Sequence, residues 1–369
     1  MELLKIIEDL ISIKTVTGQI EEINRCLEYI KDVLAPSGAI TDIIKNEYAS
    51  PVIFSRNTDT SHFDVLILGH IDVVPAKDEM FTPRIVDGKL YARGALDMKS
   101  FAAVAIQSMQ YVMANKLNLK FGFILSTDEE QGSASLEAFL EKHPDLKADI
   151  VLDNDVGGDV CHIITKCKNP VYVRLHAKGQ AAHGSTPWEG IDANEQLFLT
   201  WRNIRQLYPA YDLNTKAPQN TWIDTVHMAT VAGGKVSNII SSEATALLDF
   251  RLTESSTLEG LKHNLQQCMT PFVTFEIEMS SIPVVTDENN PIIADYKVLA
   301  EKITGQPIKF EHMGGATDSR ALYARGALVI MHSGTGEGMH ADGEYVVLKS
   351  VEQIARIQTE FLTLLASKK

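Results

Sequence analysis

The sequence predicts an α/β protein whose main domain is discontinuous, with a mostly parallel sheet flanked by helices and a smaller inserted α+β domain. Three observations support this prediction. Helical patterns alternate with short apolar runs in the first part of the chain. This alternation stops near residue 169 and returns after residue 283. Strands that alternate with helices form parallel sheets, whose ligands gather at the carboxyl ends of the strands. We therefore predict one domain from residues 1–168 and 283–369 and another from residues 169–282.

Each element has its own signal. The opening "MELLKIIEDLISIK" is an amphipathic helix rather than a secretory signal, because charged residues separate its apolar positions Leu3, Ile6, Ile7, Leu10 and Ile11. The next elements are "VLILGHIDVV", a helix over about residues 100–114, "FGFILST", a helix after residue 132 and "DIVLDND". The insertion comprises "PVYVRLHAKG", a helix over residues 191–207, "VHMATVAGG", "EATALLDFRL" and "FVTFEIEMSS". A helix from about residue 349 ends the chain.

Composition excludes several classes of protein. The chain has 369 residues, is 45% hydrophobic and carries a formal charge of -14. Without clustered Lys and Arg, it lacks what nucleic-acid binding requires. No apolar run approaches the roughly 20 residues that cross a bilayer, which argues against a membrane protein. Four cysteines in so long a chain do not form a disulfide framework, so we expect a cytoplasmic protein.

The stretch "LILGHIDVVPA" places His70 and Asp72 two positions apart at the end of a predicted strand. Residues i and i+2 share one face of a strand. The Asp72 carboxylate is therefore placed to hold one nitrogen of the His70 imidazole while the other binds a metal. The alternative is a core histidine near an acidic loop.

Further acids follow predicted strands or precede helices. Asp97 precedes the helix that starts near residue 100, where its alternative role is a helix N-cap. Glu129 and Glu130 follow "FGFILST"; such adjacent carboxylates repel unless a cation neutralises them, although a solvated acidic loop is the alternative. Asp153 and Asp155 end the next strand.

The glycine-rich segment "SGTGEGMHADGE" contains His340 and matches no phosphate-binding motif. With it, two histidines and at least four carboxylates gather at one sheet edge. Mixed imidazole and carboxylate ligands favour zinc, with cobalt or manganese possible. The number of candidate ligands is enough for two ions that share one carboxylate. A remaining glutamate could move a proton from water to a leaving amine.

Eight ordered motifs resemble the M20 metallopeptidase family, which includes carboxypeptidases, aminoacylases, acetylornithine deacetylases, succinyl-diaminopimelate desuccinylases and tripeptidases. They are "GHIDVVP", "YARGALDMKS", "TDEEQGS", "KGQAAHGSTPWEGIDAN", "GGKVSN", "DFRL", "GGATDSR" and "MHADGEYV". The resemblance implies that the metal ligands are His70, Asp97, Glu130, Asp155 and His340, with Asp153 as the alternative to Asp155.

The resemblance also implies a role for each ligand. Asp97 would bridge two ions, one held with His70 and Asp155 and the other with Glu130 and His340. The peptide bond that follows Asp97 is expected to be cis.

The remaining acids of these motifs have other implied roles. Asp72 would orient the first histidine ligand. Glu129 would be the general base.

The inserted domain resembles the family's lid, which commonly mediates dimerisation. His183 would stabilise the oxyanion, and Asn238 and Arg251 would contact the substrate. Arg251 could instead form only an ion pair with Asp249. Gly315 and Thr317 would belong to a substrate loop.

We therefore predict a cytoplasmic dizinc hydrolase, homodimeric through its lid. Its substrate would be a short peptide or N-acyl amino acid with a free carboxylate. The alternatives are a specific biosynthetic deacylase of the acetylornithine or succinyl-diaminopimelate type, and a non-catalytic binding protein on the same scaffold.

Overall fold

The computed structural model describes residues 2–46, 50–209 and 221–369. The chain forms two compact units. Unit 1 comprises Met1–Thr165, Thr286–Glu311 and Thr317–Lys369. Unit 2 comprises Lys166–Val285 and His312–Ala316.

The described helices are α1 (Leu3–Ser12), α2 (Ile20–Leu34), α3 (Lys99–Asn115), α4 (Ala134–Lys142), α5 (Ala193–Gln206), α6 (Leu258–Cys268), α7 (Pro291–Thr304), α8 (Arg320–Tyr323) and α9 (Leu348–Ser367). Of these helices, α1, α3, α4, α5 and α9 lie close to the positions predicted from the sequence. Short 3₁₀ helices cover Ala35–Ser37, Asp78–Phe81, Glu129–Gln131 and Pro187–Glu189.

The strands in the described residues are β1 (Ile40–Ile44), β2 (Val52–Arg56), β3 (His62–His70), β4 (Arg84–Val86), β5 (Lys89–Tyr91), β6 (Phe121–Ser126), β7 (Lys147–Asp153), β8 (His162–Cys167), β9 (Asn169–Lys178), β10 (Thr225–Gly233), β11 (Glu243–Leu252), β12 (Val273–Ser280), β13 (Val284–Val285), β14 (Lys309–Met313), β15 (Leu328–His332), β16 (Gly336–Glu337) and β17 (Tyr345–Val347).

The main sheet of unit 1 is mixed, with strand order β1-β2-β6-β3-β7-β15-β8. Its central strands β6, β3, β7 and β15 are parallel, whereas β1, β2 and β8 pair antiparallel with their neighbours. Helices flank it: α3 packs on β3 and β6, α4 on β2 and α8 on β7. The predicted α/β class is confirmed, and the parallel character is concentrated in the four central strands.

Burial explains why these segments form these elements. Strand β3 is buried continuously over residues 65–68, as expected of a strand covered on both faces. Helix α1 buries one stripe at helical spacing, which is the amphipathic pattern of the sequence. A second, small antiparallel sheet in unit 1 has the order β16-β17-β5-β4.

Unit 2 has a separate core. Its antiparallel sheet has the order β10-β11-β9-β12, and α5 and α6 pack together with α5 against β9 and β11. Strand β11 alternates between buried and half-buried positions, as a sheet with one covered face requires.

Two further findings concern the whole described chain. None of the described helices combines the length and the apolar character needed to cross a membrane. All four cysteines are free thiols, in agreement with the sequence prediction.

Candidate active site

The carboxyl edge of the central strands in unit 1 brings the predicted ligands together. His70 is the last residue of β3, and Glu130 lies in the 3₁₀ helix that follows β6. Asp155 follows β7 by two residues, and Asp97 lies just before α3. His340 lies between β16 and β17 with a positive φ of 61°. The parallel strands β3, β6 and β7 thus deliver His70, Glu130 and Asp155 to one edge, and loops outside these strands add the other two side chains.

His70, Asp97 and Asp155 form the first group, which we call group A. The Nε2 atom of His70 lies 3.0 Å from Oδ1 of Asp97 and 3.7 Å from Oδ2 of Asp155. One ligand atom from each residue lies within 4.8 Å of the other two. His70 and Asp97 are buried, so their polar atoms face each other rather than bulk water.

Asp97, Glu130 and His340 form group B. The Nε2 atom of His340 lies 3.1 Å from Oδ2 of Asp97 and 3.1 Å from Oε2 of Glu130. Asp97 belongs to both groups and presents a different oxygen to each. In the described part of the chain, these two groups have the composition and convergence needed to hold a metal ion.

The electrostatics of the site fit divalent cations. Burial raises the pKa of Glu129 to about 9, that of Glu130 to about 7 and that of Asp155 to about 6, and neighbouring carboxylates add to each shift. Cations beside these groups would stabilise the charged carboxylates and lower these pKa values. The donor set of one imidazole nitrogen and two carboxylate oxygens per group suits zinc, cobalt or manganese.

Asp72 connects several parts of the site. His70 Nδ1 lies 3.0 Å from the Asp72 carbonyl oxygen and 3.3 Å from its Oδ1. The Asp72 carboxylate also accepts the backbone N–H groups of Glu129 and Glu130 at 3.1 and 3.3 Å. It therefore holds the histidine and both adjacent glutamates in one arrangement.

The two aspartates at the end of β7 have different partners. Asp153 accepts a hydrogen bond from Ser319 Oγ at 2.6 Å and another from the hydroxyl of Thr317. Its Oδ1 also accepts the backbone N–H of Asp155 at 2.8 Å. Asp153 is thus occupied by protein donors, and Asp155 is the residue that faces His70.

The peptide bond between Asp97 and Met98 is cis, as the resemblance predicts.

The predicted substrate loop has contacts within unit 1. In this loop, Asp318 accepts a hydrogen bond from Ser133 Oγ at 2.6 Å. Thr317 donates to the aspartate at the end of β7, so this predicted substrate residue is tied to the strand beside group A. Gly315 belongs to the short segment His312–Ala316 of unit 2.

The predicted residues of unit 2 lie on exposed or half-buried segments. The backbone N–H of Gly184 donates to Asn238 O at 2.8 Å, which joins the segments of His183 and Asn238. Arg251 forms a bidentate pair with Asp249, with distances of 2.8 Å from Nε to Oδ1 and 3.0 Å from Nη2 to Oδ2. The alternative ion pair is therefore present, and a substrate carboxylate would have to share this guanidinium.

The environment of His183 fixes its neutral tautomer. The backbone N–H of Ser185 donates to Nδ1 at 3.2 Å, and Ser185 Oγ lies 2.7 Å from the same atom. A backbone N–H can only donate, so Nδ1 is an acceptor and the neutral ring carries its proton on Nε2.

Sequence reasoning missed one residue that contacts the site and one buried residue that joins helix α3 to the end of helix α1. Thr17 Oγ1 donates to Oδ2 of Asp72 at 2.8 Å. The buried Lys99 donates through Nζ to the carbonyl oxygens of Leu10 and Ile13, at 2.9 and 2.6 Å. Lys99 lies in the motif "YARGALDMKS", but its partners are distant in sequence. No local pattern around Thr17 indicates that its hydroxyl binds a carboxylate.

Comparisons with known proteins agree with this geometry. The profile of peptidase family M20/M25/M40 matches residues 66–364. An uncharacterized metallohydrolase of Methanocaldococcus jannaschii is 25% identical over 332 residues, which are 80% of this chain and 80% of that protein. A succinyl-diaminopimelate desuccinylase of Nitrosomonas eutropha is 27% identical over 315 residues, 79% of this chain and 81% of that protein.

A solved structure shows the same fold. An M20 family metallo-carboxypeptidase from Sulfolobus solfataricus has a TM-score of 0.80 at 20% identity, and the alignment covers 100% of both chains. Each of the five predicted metal ligands lies within the range that the family profile matches.

Proposed function

The chain belongs to peptidase family M20/M25/M40 and is a metallohydrolase of the peptidase or deacylase type, and from this premise we propose that it is a dizinc enzyme. It cleaves an amide bond in a small substrate with a free carboxylate, either a short peptide or an N-acyl amino acid. The observation that carries this proposal is the position of Asp97, which offers one oxygen to each of groups A and B.

Group A would hold one ion through His70 and Asp155, and group B would hold the other through Glu130 and His340, with Asp97 between them. Bound zinc, cobalt or manganese ions would polarise the scissile carbonyl group and lower the pKa of a water molecule. The chain's own contribution is to fix the ligands, since each group combines residues from separate segments.

Glu129 is the proposed general base. Its backbone N–H is held by Asp72, and it belongs to neither ligand group, unlike its neighbour Glu130. Its carboxylate would take a proton from the attacking water as the carbon–oxygen bond forms. The same proton would pass to the leaving nitrogen as the carbon–nitrogen bond breaks, so that Glu129 is regenerated as a carboxylate.

His183 is the proposed oxyanion donor. Because Ser185 engages Nδ1, the neutral ring presents Nε2–H as a donor. Such a donor would stabilise the negative oxygen of the tetrahedral intermediate without needing a protonated imidazole.

Substrate recognition falls to Asn238, Arg251, Gly315 and Thr317 in this proposal. The Arg251 guanidinium is suited to bidentate recognition of a carboxylate, and its pairing with Asp249 holds it in place. A specific biosynthetic deacylase is the second candidate, which the similarity to a succinyl-diaminopimelate desuccinylase favours. A non-catalytic binding protein would need neither Glu129 nor two complete ligand groups.

We also propose a cytoplasmic homodimer formed through unit 2. Strand β10 ends the order of the unit 2 sheet, and its residue Val231 is exposed. An exposed sheet edge with apolar residues is suited to pairing with a second copy.

Hydrolysis assays test the proposed reaction. Zinc-loaded and chelator-stripped protein would be compared on dipeptides, tripeptides, and N-acetyl and N-succinyl amino acids. The proposal predicts cleavage that disappears on stripping and returns with zinc, and the best substrate distinguishes a peptidase from a specific deacylase. Two bound ions without cleavage of any substrate would favour the binding-protein alternative.

A further inference from the structure

One buried carboxylate connects the turn that carries Asp97 with the segment that carries His340. Glu344 is 1% exposed. Its Oε1 accepts the backbone N–H groups of Leu96 and Asp97 at 2.9 and 3.1 Å. Its Oε2 accepts the backbone N–H of Gly94 at 3.1 Å. The carboxylate therefore binds the backbone of the turn directly, including the N–H of the shared ligand.

Arg93 completes this connection. Its guanidinium is 2% exposed and donates through Nη1 to Oε2 of Glu344. Its Nη2 donates to the carbonyl oxygen of Ala341, the residue after His340, at 3.4 Å. The backbone N–H of Ala92 also donates to the carbonyl oxygen of Glu344 at 3.3 Å. The segments 92–97 and 340–344 are thus joined by both side chains and backbone.

The two ligand groups depend on this connection to different degrees. In group A, Asp72 contacts His70, and Asp153 accepts the backbone N–H of Asp155. Only group B includes His340, which must meet the Asp97 carboxylate across the joined segments at 3.1 Å. A small shift between these segments would therefore separate the ligands of group B first.

We propose that Glu344, together with Arg93, is a positioning residue that sets the geometry of group B. This inference rests on the proposed function, because it requires groups A and B to bind metal. Neither residue is a ligand in either group. Glu344 acts through the backbone of the turn, and a carboxylate is needed because both oxygens must accept hydrogen bonds from fixed donors.

Zinc titration of the metal-free, full-length protein by calorimetry tests the proposal. His340→Ala leaves only group A complete, and Asp155→Ala leaves only group B complete. Glu344→Gln is then added to each background, because the amide replaces one accepting oxygen by a donor. Partners of metal ligands change affinity by about 10–100-fold. We expect zinc affinity to fall at least about tenfold in the Asp155→Ala background and less than about threefold in the His340→Ala background.

Two further variants separate positioning from general destabilisation. Asp224→Asn is the matched control, since Asp224 is a carboxylate of unit 2 that accepts the N–H and hydroxyl of Thr253 at 2.7 and 2.8 Å. It should leave both zinc affinities unchanged. If Glu344→Gln does not fold, Arg93→Lys is the second variant. Lysine retains the charge but cannot donate to Glu344 and to the carbonyl oxygen of Ala341 with the planar geometry of the guanidinium, so zinc binding at group B should weaken selectively.

The outcomes are distinct. Wild-type protein that binds no zinc would overturn the proposed function and this inference with it. Wild-type protein that binds two ions, with zinc affinities in the variants that are unchanged or equally reduced at both groups, would overturn the positioning role alone. Turnover of Glu344→Gln in the otherwise wild-type chain should recover at saturating zinc, because the general base Glu129 is intact.

Discussion

The metal-ligand edge of unit 1 and the predicted substrate residues of unit 2 hold their polar side chains in different ways. In unit 1, His70 and Asp97 are buried and lie 27 positions apart in sequence, and Asp72 binds Thr17 and Glu129 across 55 and 57 positions. In unit 2, His183 and Arg251 have side-chain partners only two positions away, Ser185 and Asp249. The fold itself therefore organises the proposed metal ligands, whereas local hydrogen bonds orient the proposed substrate residues.

This difference has consequences for mutations. A side chain held by distant, buried partners is preorganised, and its loss removes a function that no neighbour replaces. Loss of a side chain that is oriented by a neighbour two positions away should change the turnover rate or the substrate affinity and leave the proposed metal centre unchanged. Four predictions test this contrast, in order of decreasing effect.

The largest effect is expected for Glu129→Gln. The amide cannot accept a proton, so turnover should fall by about 10²–10⁴-fold. Metal content should be unchanged, because Glu129 belongs to neither ligand group. Steady-state kinetics and metal analysis provide the measurements. The matched control is Glu137→Gln, at an exposed position of α4. Wild-type turnover in Glu129→Gln would exclude the general-base role.

His183→Ala should have the next largest effect. Loss of an oxyanion donor costs about 10²–10³-fold in kcat. The zinc content should remain that of the wild type, because the change lies in unit 2. The control is His227→Ala, which removes an exposed histidine of β10. An unchanged kcat for His183→Ala would eliminate the oxyanion role.

The buried His332 of unit 1 predicts a dependence of stability on pH. Burial lowers the pKa of His332 to about 4, although its Nε2 contacts Val160 O at 2.7 Å. Between pH 6.5 and 4 the unfolded chain binds a proton that the folded chain does not. The stabilisation is therefore complete above pH 6.5 and declines as the pH falls toward 4, by about 3 kcal/mol for this group.

The comparison that isolates this effect is between wild-type protein and His332→Gln. Unfolding would be followed by denaturant titration of metal-free protein at several pH values. The difference in unfolding free energy between the two proteins should shrink as the pH falls. A difference that is constant from pH 7 to 4.5 would show that His332 titrates normally.

Arg251→Ala should have the smallest effect, on KM rather than kcat. The loss of one contact with the substrate carboxylate should raise KM about tenfold, which corresponds to about 1.4 kcal/mol. Arg174→Ala is a matched control, because Arg174 is another arginine of the unit 2 sheet that pairs with a carboxylate, Glu278. An unchanged KM would mean that Arg251 serves only its pair with Asp249.

The same contrast explains how much the sequence predicts. Helix α1 and strand β3 follow from local apolar spacing, and the gathering of His70, Glu130 and Asp155 follows from the rule that parallel strands end at one edge. The antiparallel outer strands were not predicted, because pairing partners depend on contacts between distant segments.

Other features of the site are invisible to local patterns. Thr17 and Asp72 lie 55 positions apart, and Arg93 and Glu344 lie 251 positions apart. No periodicity connects residues so distant. Similarly, both Asp153 and Asp155 suit a ligand by position. The three donors around Asp153 and the contact of Asp155 with His70 distinguish them.

The most direct test of the central claim is zinc anomalous diffraction from crystals of the zinc-loaded protein. We expect two anomalous peaks about 3.5–4 Å apart, the spacing of co-catalytic metal pairs, with the Asp97 carboxylate between them. Both peaks should be lost in Asp97→Ala. A single peak, or two peaks of which neither contacts Asp97, would contradict the proposal that this carboxylate joins groups A and B in one centre.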